Sequence, residues 1–237
     1  MSVEAPRVCM ILCGGRGRRL GLAFPKVLLE LKPNLTILDH QLAQYRKAGL
    51  EKAVLLTGFG HEKIEKRYGK KFEDMRIEYV KEEEPAGTLN ALRLGMEHVR
   101  EDAMVSNGDV VAEINLRRMW EEFTTSGALA SILITRMRSP YGVIKVRGKR
   151  VVEFTEKPLL DVLINGGYYC FSKNILPLLE KFKKGDLEKT LLPELAKRGE
   201  LVWYREREGA FWASVDTLKD LEEVRKAFPQ LSEKTSV

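Results

Sequence analysis

Cysteine, histidine and glutamine are scarce, with three of each in 237 residues. The cysteines form no C-x-x-C pair and are too few for a disulfide scaffold, which predicts a reducing, cytoplasmic setting. Cys9 and Cys13 fall on one side of an apolar run, so buried packing is expected of them rather than metal binding. The histidines (His40, His61 and His98) lie scattered along expected helices without metal-ligand spacing and read as structural. Little glutamine beside abundant Lys and Glu is a composition met in thermophiles. No apolar run approaches the ~20 residues needed to cross a membrane, and the opening MSVEAPRV has no signal-peptide h-region. Gly-Lys-Ser and Gly-Lys-Thr are also missing, which excludes the P-loop.

What the chain does have is 44% hydrophobic residues, a net charge of +6 and a calculated pI of about 9.1. That content supports a globular core. The basic balance raises nucleic acid as a partner, but lysines interleave with glutamates, as in Glu62-Lys63-Ile64-Glu65-Lys66-Arg67. Such a pattern is a salt-bridged solvent face, not a one-sign stripe. Small phosphorylated substrates suit the excess charge, with neither nucleic acid nor membrane as a partner and homo-oligomerisation left open. With no repeat, low-complexity tract or linker, a single domain over 1–237 is expected.

One stretch organises the rest. Val8 to Cys13 has the length and make-up of a buried parallel strand. It breaks into Gly14-Gly15-Arg16-Gly17-Arg18-Arg19, where glycine lets backbone N–H groups approach a ligand and guanidinium forks suit phosphate oxygens. Pro25-Lys26 adds one further ammonium. The dinucleotide fingerprint fails, because its third glycine would fall at Leu20. A polyphosphate site is expected here, ahead of the alternative of a plain glycine turn with solvated arginines.

Short apolar runs then alternate with amphipathic segments. Helices are expected over about Leu38–Lys47 (closed by Gly49), His61–Tyr68, Thr88–Arg100 with Thr88 as N-cap, and Leu116–Phe123. Strands are expected over Ala53–Thr57, Arg76–Val80, Ala103–Ser106 and Leu129–Thr135. This β-α-β-α order predicts an α/β fold with a mixed, mostly parallel sheet and helices on both faces. From Tyr141 the texture changes to strands at Tyr141–Val146, Val151–Phe154 and Gly167–Phe171. Helices return at Lys173–Phe182, Leu187–Lys197 and Leu218–Lys226. Gly108-Asp109 ends an expected strand on the side where open α/β sheets place ligands. A carboxylate there suits Mg²⁺, although alone it would be an ordinary turn residue.

Gly14-Gly15-x-Gly17-x-Arg19-Leu20, Pro25-Lys26 and Ile37-Leu38-Asp39-His40 together resemble the signature of sugar-1-phosphate nucleotidyltransferases. The resemblance implies a Rossmann-like nucleotidyltransferase fold, with a nucleotide-binding half over about 1–137 and an acceptor-binding half over about 138–237. It implies that Cys13, Gly14, Gly15, Gly17 and Arg18 hold the nucleotide, and that Arg19 and Lys26 bind its phosphates. Arg18 departs from the family, which has Thr or Ser there. Asp109 matches the family's metal-binding Gly-Asp.

Phe211-Trp212-Ala213-Ser214-Val215-Asp216-Thr217 resembles the family's late W-x-D-x-G-T segment, but with Ser214 at the Asp and Asp216 at the Gly. F-W-x-x-x-D-T instead looks like glucose-1-phosphate cytidylyltransferases, which makes Asp216 the second metal residue. Thr217 and Asp220 read as a capping box for the last helix, which is compatible with that role. Glu156-Lys157-Pro158 matches the family's E-K-P, in which Lys holds the acceptor's phosphate and Glu a sugar hydroxyl. Ile164-Asn165-Gly166-Gly167 and Tyr141-Gly142 match acceptor-pocket motifs.

The resemblance also implies that Glu82 stands where the family reads the base. An ionised carboxylate only accepts hydrogen bonds, so it suits the amino-bearing edges of cytosine or guanine. CTP or GTP is therefore expected over UTP and dTTP, with CTP first. Gly87 and Thr88 belong to the same nucleotide segment. The implied activity is Mg²⁺-dependent transfer of a nucleotidyl group from a nucleoside triphosphate to a sugar 1-phosphate, with pyrophosphate released. The alternatives are a cytidylyltransferase for phosphocholine or inositol phosphate, and a nucleotide-binding homologue without turnover.

Overall fold

The computed structural model describes residues 5–15, 17, 20–182 and 184–234, with side chains of the final helix described as far as Phe228. In chain order the strands are β1 (Val8–Leu12), β2 (Glu30–Lys32), β3 (Leu35–Thr36), β4 (Lys52–Thr57), β5 (Lys71–Phe72), β6 (Met75–Lys81), β7 (Ala103–Asn107) and β8 (Val110–Ala112). They continue as β9 (Ala130–Arg138), β10 (Val143–Arg147), β11 (Arg150–Thr155), β12 (Leu159–Phe171), β13 (Leu201–Arg205) and β14 (Trp212–Ser214). The helices are α1 (Ile37–Lys47), α2 (His61–Tyr68), α3 (Thr88–Val99), α4 (Leu116–Ser126), α5 (Leu176–Leu179), α6 (Leu191–Lys197) and α7 (Leu218–Lys234).

Eight strands form one sheet in the order β13-β9-β12-β7-β1-β4-β6-β5. Pairs β1–β4, β1–β7, β4–β6 and β9–β13 are parallel, and only β12 and β5 run against the others. The expected mixed, mostly parallel sheet is therefore observed. Strand alternation sorts the core into two layers. Cys9, Ile11 and Cys13 point toward α1, α2 and α4. Val8 and Met10 point toward α3, α5 and α6. All three cysteines are free and buried, as their apolar neighbours predict. A third cluster seats α7 on Leu29, Leu31, Ile37, Val111 and Val215 through Leu221, Val224 and Phe228.

Local chemistry explains several boundaries. Thr36 and Asp39 form a reciprocal capping box on α1, and Gly49, at φ +96°, follows its end. The expected Thr88 N-cap is corrected. Gly87 stands at the N-cap at φ +96°, while the Thr88 hydroxyl accepts from the Leu187 N–H at 2.9 Å. A Cβ at Gly87 would lie 2.2 Å from the Gly185 carbonyl oxygen, so only glycine fits. The expected helix from Leu187 is also corrected: α6 starts at Leu191, because Thr190 at φ −121° and ψ −65° departs from helical geometry. Pro177 breaks the expected Lys173–Phe182 helix into a 3-10 turn and the single-turn α5.

Candidate active site

The carboxyl ends of β1, β4, β6 and β7 are aligned, since Leu12 pairs with Leu56 and Asn107, and Leu56 pairs with Val80. After β1 the chain builds β4 on one side and later returns to β7 on the other. Open α/β sheets bind ligands at such a switch point. The glycine loop after β1 and the Gly108-Asp109 turn after β7 meet there. Gly108 lies directly over the end of β1: its N–H donates to the Leu12 carbonyl at 3.1 Å, and a Cβ would sit 2.4 Å from that oxygen.

Three side chains converge at this edge. Lys26 Nζ donates to Asp109 Oδ2 at 2.8 Å and to Asp216 Oδ1 at 2.9 Å. Residues 83 and 190 positions from Lys26 thus share one cation. Burial pulls the Lys26 pKa down, but Asp109, with Asp216 behind it, more than offsets this, so the net shift is upward and the ammonium stays charged.

The supports of this cluster are clear. Lys26 opens a 3-10 turn, Lys26–Leu28, after Pro25. Pro25 packs on Gly60, where a Cβ would come within 2.6 Å of its ring, and Lys63 Nζ bonds the Ala23 carbonyl at 2.7 Å. Asp216 follows β14, whose antiparallel pairing with β8 brings the Val215 N–H to the Asp109 carbonyl at 2.9 Å. Thr217 and Asp220 form the expected capping box on α7, and Ser214 Oγ donates to Asp216 Oδ2 at 3.0 Å. Capping and a carboxylate directed into the site therefore coexist in one segment.

The described residues among those expected to hold a nucleotide follow the carboxyl ends of β1 and β6. Gly14 packs over Gly58, Gly15 has open space about its Cα, and Gly17 adopts φ +54°. Cys13 is buried and gives its N–H to the Leu56 carbonyl. Arg18 and Arg19 lie outside the described residues, as does Arg16. Glu82 sits just beyond β6, its N–H on the Thr57 carbonyl at 2.9 Å and its Oε1 accepting from Asn90 at 2.7 Å. The Thr88 hydroxyl, besides accepting from Leu187, lies 3.5 Å from Glu188 Oε2.

The residues expected to bind the acceptor divide. A break in β12 pairing between Asn165 and Tyr169 holds Gly166 and Gly167. At Gly167, φ is +72° and a Cβ would meet Val110 at 2.9 Å, so this bulge presses against the strand that follows Asp109. Bulges of this kind re-aim side chains beside active sites. Asn165 donates to the Tyr169 hydroxyl at 2.8 Å, and Gly166 accepts from Trp212 Nε1 at 2.8 Å. Tyr141, Gly142 and Glu156 lie with the outer hairpin β10–β11, where the Phe154 ring and the Glu156 carboxylate cover Gly142. Lys157 stands at φ +47° with Nζ 3.5 Å from Glu223 Oε1, and it lines a cleft of about 660 Å³ with Ser214, Trp212 and Arg138.

Two glutamines of α1 escaped the sequence reading. Gln41 is fully buried, and its Nε2 donates to the carbonyls of Asn107 at 2.9 Å and Val110 at 2.7 Å, which flank Gly108-Asp109. Gln44 donates to Ala112 at 2.7 Å and accepts from the Tyr168 hydroxyl at 3.2 Å. Their only signal was rarity, two of three glutamines standing on one helix.

A glycine loop over a switch point, facing a lysine shared by two carboxylates, is the architecture of a nucleotidyl transferase. The sequence matches the family model described as nucleotidyl transferase over residues 8–230. It is 31% identical over 194 residues to a D-glycero-alpha-D-manno-heptose 1-phosphate guanylyltransferase of Aneurinibacillus thermoaerophilus, spanning 77% of this chain and 84% of that one. A probable glucose-1-phosphate cytidylyltransferase of Bacillus subtilis (strain 168) is 30% identical over 251 residues, spanning 93% and 96%. The solved structure of a UDP-glucose pyrophosphorylase complexed with UDP-glucose shares the fold, with a TM-score of 0.74, 18% identity and coverage of 95% and 99%. The chain belongs to the sugar-1-phosphate nucleotidyltransferase family and is an enzyme of that class. No helix among the described residues is long and apolar enough to cross a membrane.

Proposed function

We propose that this enzyme transfers a nucleoside monophosphate from GTP or CTP to a sugar 1-phosphate, with Mg²⁺, releasing pyrophosphate and forming a nucleotide-sugar. The observation that carries the reading is the Lys26 ammonium held between Asp109 and Asp216 at the switch point. Two carboxylates already converge on one cation position. Hard oxygen donors of this kind suit Mg²⁺, which retains waters and takes phosphate oxygens as further ligands. Among the described residues no group of three or more acidic, histidine or cysteine side chains gathers to hold a metal. When bound, Mg²⁺ supplies charge neutralisation and alignment of the phosphates.

The chain's own residues do the rest. An oxygen of the sugar phosphate attacks the α-phosphorus of the triphosphate, the bond from that phosphorus to its bridging oxygen breaks, and pyrophosphate leaves. The reaction needs positioning and electrostatic stabilisation rather than acid–base help. Gly14, Gly15 and Gly17 let the backbone approach the triphosphate. Lys26, with Arg18 and Arg19, neutralises its charge. Lys157 holds the incoming phosphate, and Asn165, Gly166, Glu156, Tyr141 and Gly142 form the acceptor's pocket. Residues of about 1–137 bind the nucleotide and those of about 138–237 the acceptor.

For the base, Glu82 favours an amino-bearing edge, and guanylyltransferases as well as a cytidylyltransferase stand at similar identity to this chain. GTP therefore stands level with CTP. Replacing Asp109 by Ala tests the proposal: most activity is lost, and excess chelator abolishes the wild-type reaction. Near wild-type turnover in the variant, or full activity in chelator, contradicts it.

A further inference from the structure

Asn90 stands in the first turn of α3, inside the apolar run Leu89-Asn90-Ala91-Leu92, and is only 8% exposed. Asparagine is a poor helix former, and its amide is costly to bury unless bonded. Here it is bonded on both sides. Nδ2 donates to Glu82 Oε1 at 2.7 Å, and Oδ1 accepts from Arg93 Nη2 at 2.9 Å. Arg93 is itself held by Glu97 at 2.6 Å, one turn further along the helix. A carboxylate only accepts and a guanidinium only donates, so this chain of bonds permits a single orientation of the amide.

The arrangement fixes Glu82 twice. Its backbone N–H is tied to β4 through the Thr57 carbonyl at 2.9 Å, and its side chain is tied to α3 through Asn90. Among the described residues, Oε2 accepts no hydrogen bond. A free glutamate on a loop samples several rotamers and discriminates poorly, because the order a ligand needs must be imposed on binding. One clamped through Oε1 presents an acceptor in a set direction.

We propose that Asn90 is a specificity-determining positioning residue. It holds Glu82 so that the carboxylate meets the amino-bearing edge of guanine or cytosine and turns away uracil and thymine, whose single N–H is flanked by carbonyl oxygens. This rests on the reading of Glu82 as the base reader given above. Lys, Gln or Ser at position 90 could not bond both Glu82 and Arg93 with the same geometry. Asn90→Asp would set a second carboxylate against the first.

The test measures kcat/KM for GTP, CTP and UTP in the wild type, Asn90→Leu, Arg93→Leu and Glu82→Ala, together with KM for the sugar 1-phosphate. Asn90→Leu is expected to reduce the preference for the better amino-bearing nucleotide over UTP by about tenfold, the scale of one lost base contact. Arg93→Leu, which keeps the amide but frees it to flip, reduces the preference in the same direction by less. KM for the sugar 1-phosphate stays within about twofold in both, a split that general loosening of the fold would not give. If Glu82→Ala loses the preference while Asn90→Leu and Arg93→Leu keep it, the positioning role is overturned and the base reader stands. If Glu82→Ala keeps the preference, the base reader falls and the role of Asn90 with it.

Discussion

The side-chain amide of Gln41 donates to the Val110 carbonyl at 2.7 Å, and its second hydrogen reaches the Asn107 carbonyl at 2.9 Å. One buried side chain therefore pins both sides of the turn that carries Asp109, while Ser106 Oγ donates to its carbonyl oxygen at 3.2 Å.

Gln41→Leu keeps the volume but leaves two carbonyls and a hydroxyl without their partner. Unsatisfied buried polar groups cost about 1–3 kcal/mol each, so a loss of about 3 kcal/mol or more is expected in urea denaturation. Because the turn loosens under Asp109, kcat falls more than KM rises for either substrate. A variant as stable and active as wild type would show that the turn holds itself.

Glycines separate packing from ligand approach. Gly108→Ala forces a methyl group to 2.4 Å from the Leu12 carbonyl oxygen and 2.5 Å from Val27, so it is expected to lower the melting temperature and abolish activity together. Gly15→Ala meets nothing within 4 Å. It should melt like wild type yet raise KM for the nucleoside triphosphate severalfold. Unchanged nucleotide kinetics in Gly15→Ala would remove this loop from the nucleotide site.

Asp216, rather than Ser214, is expected to matter most in the segment that follows β14. Ser214 Oγ only donates to Asp216 Oδ2, whereas Asp216 Oδ1 shares Lys26 with Asp109. Asp216→Asn should therefore cost activity on the scale of Asp109→Asn, and Ser214→Ala less than about tenfold, the worth of one modest hydrogen bond. The reverse order in steady-state kinetics would leave Asp216 only its place at the start of α7.

These roles show where the sequence was legible. Val8–Cys13 declares itself by an unbroken apolar run, Gly108-Asp109 by a carboxylate after one, and Thr217-x-x-Asp220 by its capping spacing. The strands β8 and β14 do not, because three residues each carry no period, yet their pairing is what brings Asp216 to Asp109. Nor is β13 evident, since Leu201–Tyr204 is a short apolar stretch between charged residues. Gln41, Gln44 and Asn90 look like ordinary helical polar residues. Their importance lies in partners as far as 8 to 124 positions away, which no local pattern encodes. The displaced cap at Gly87 has the same cause, as Leu187 claims the Thr88 hydroxyl.

His40 gives the fold a pH dependence. It packs edge-on against Phe228 at 5.4 Å, its Nε2 has no hydrogen-bond partner among the described residues, and burial pushes its pKa down to about 4. The unfolded chain binds this proton near pH 6.5, whereas the folded chain resists it until about pH 4. The stability held above pH 6.5 is therefore lost as pH falls through that window, by up to about 3 kcal/mol. Urea midpoints should fall more steeply for wild type than for His40→Gln between pH 7 and 4.5. Parallel curves would mean that His40 takes up its proton equally in the folded and unfolded chains.

The central claim is tested most directly by pyrophosphate release from GTP, CTP, UTP, dTTP and ATP, each paired with a panel of sugar 1-phosphates, with and without Mg²⁺. Release is expected only when Mg²⁺, a sugar 1-phosphate and GTP or CTP are all present, with a nucleotide-sugar formed in equal amount. Clear preference for UTP or dTTP, or release that ignores the sugar 1-phosphate, would contradict it.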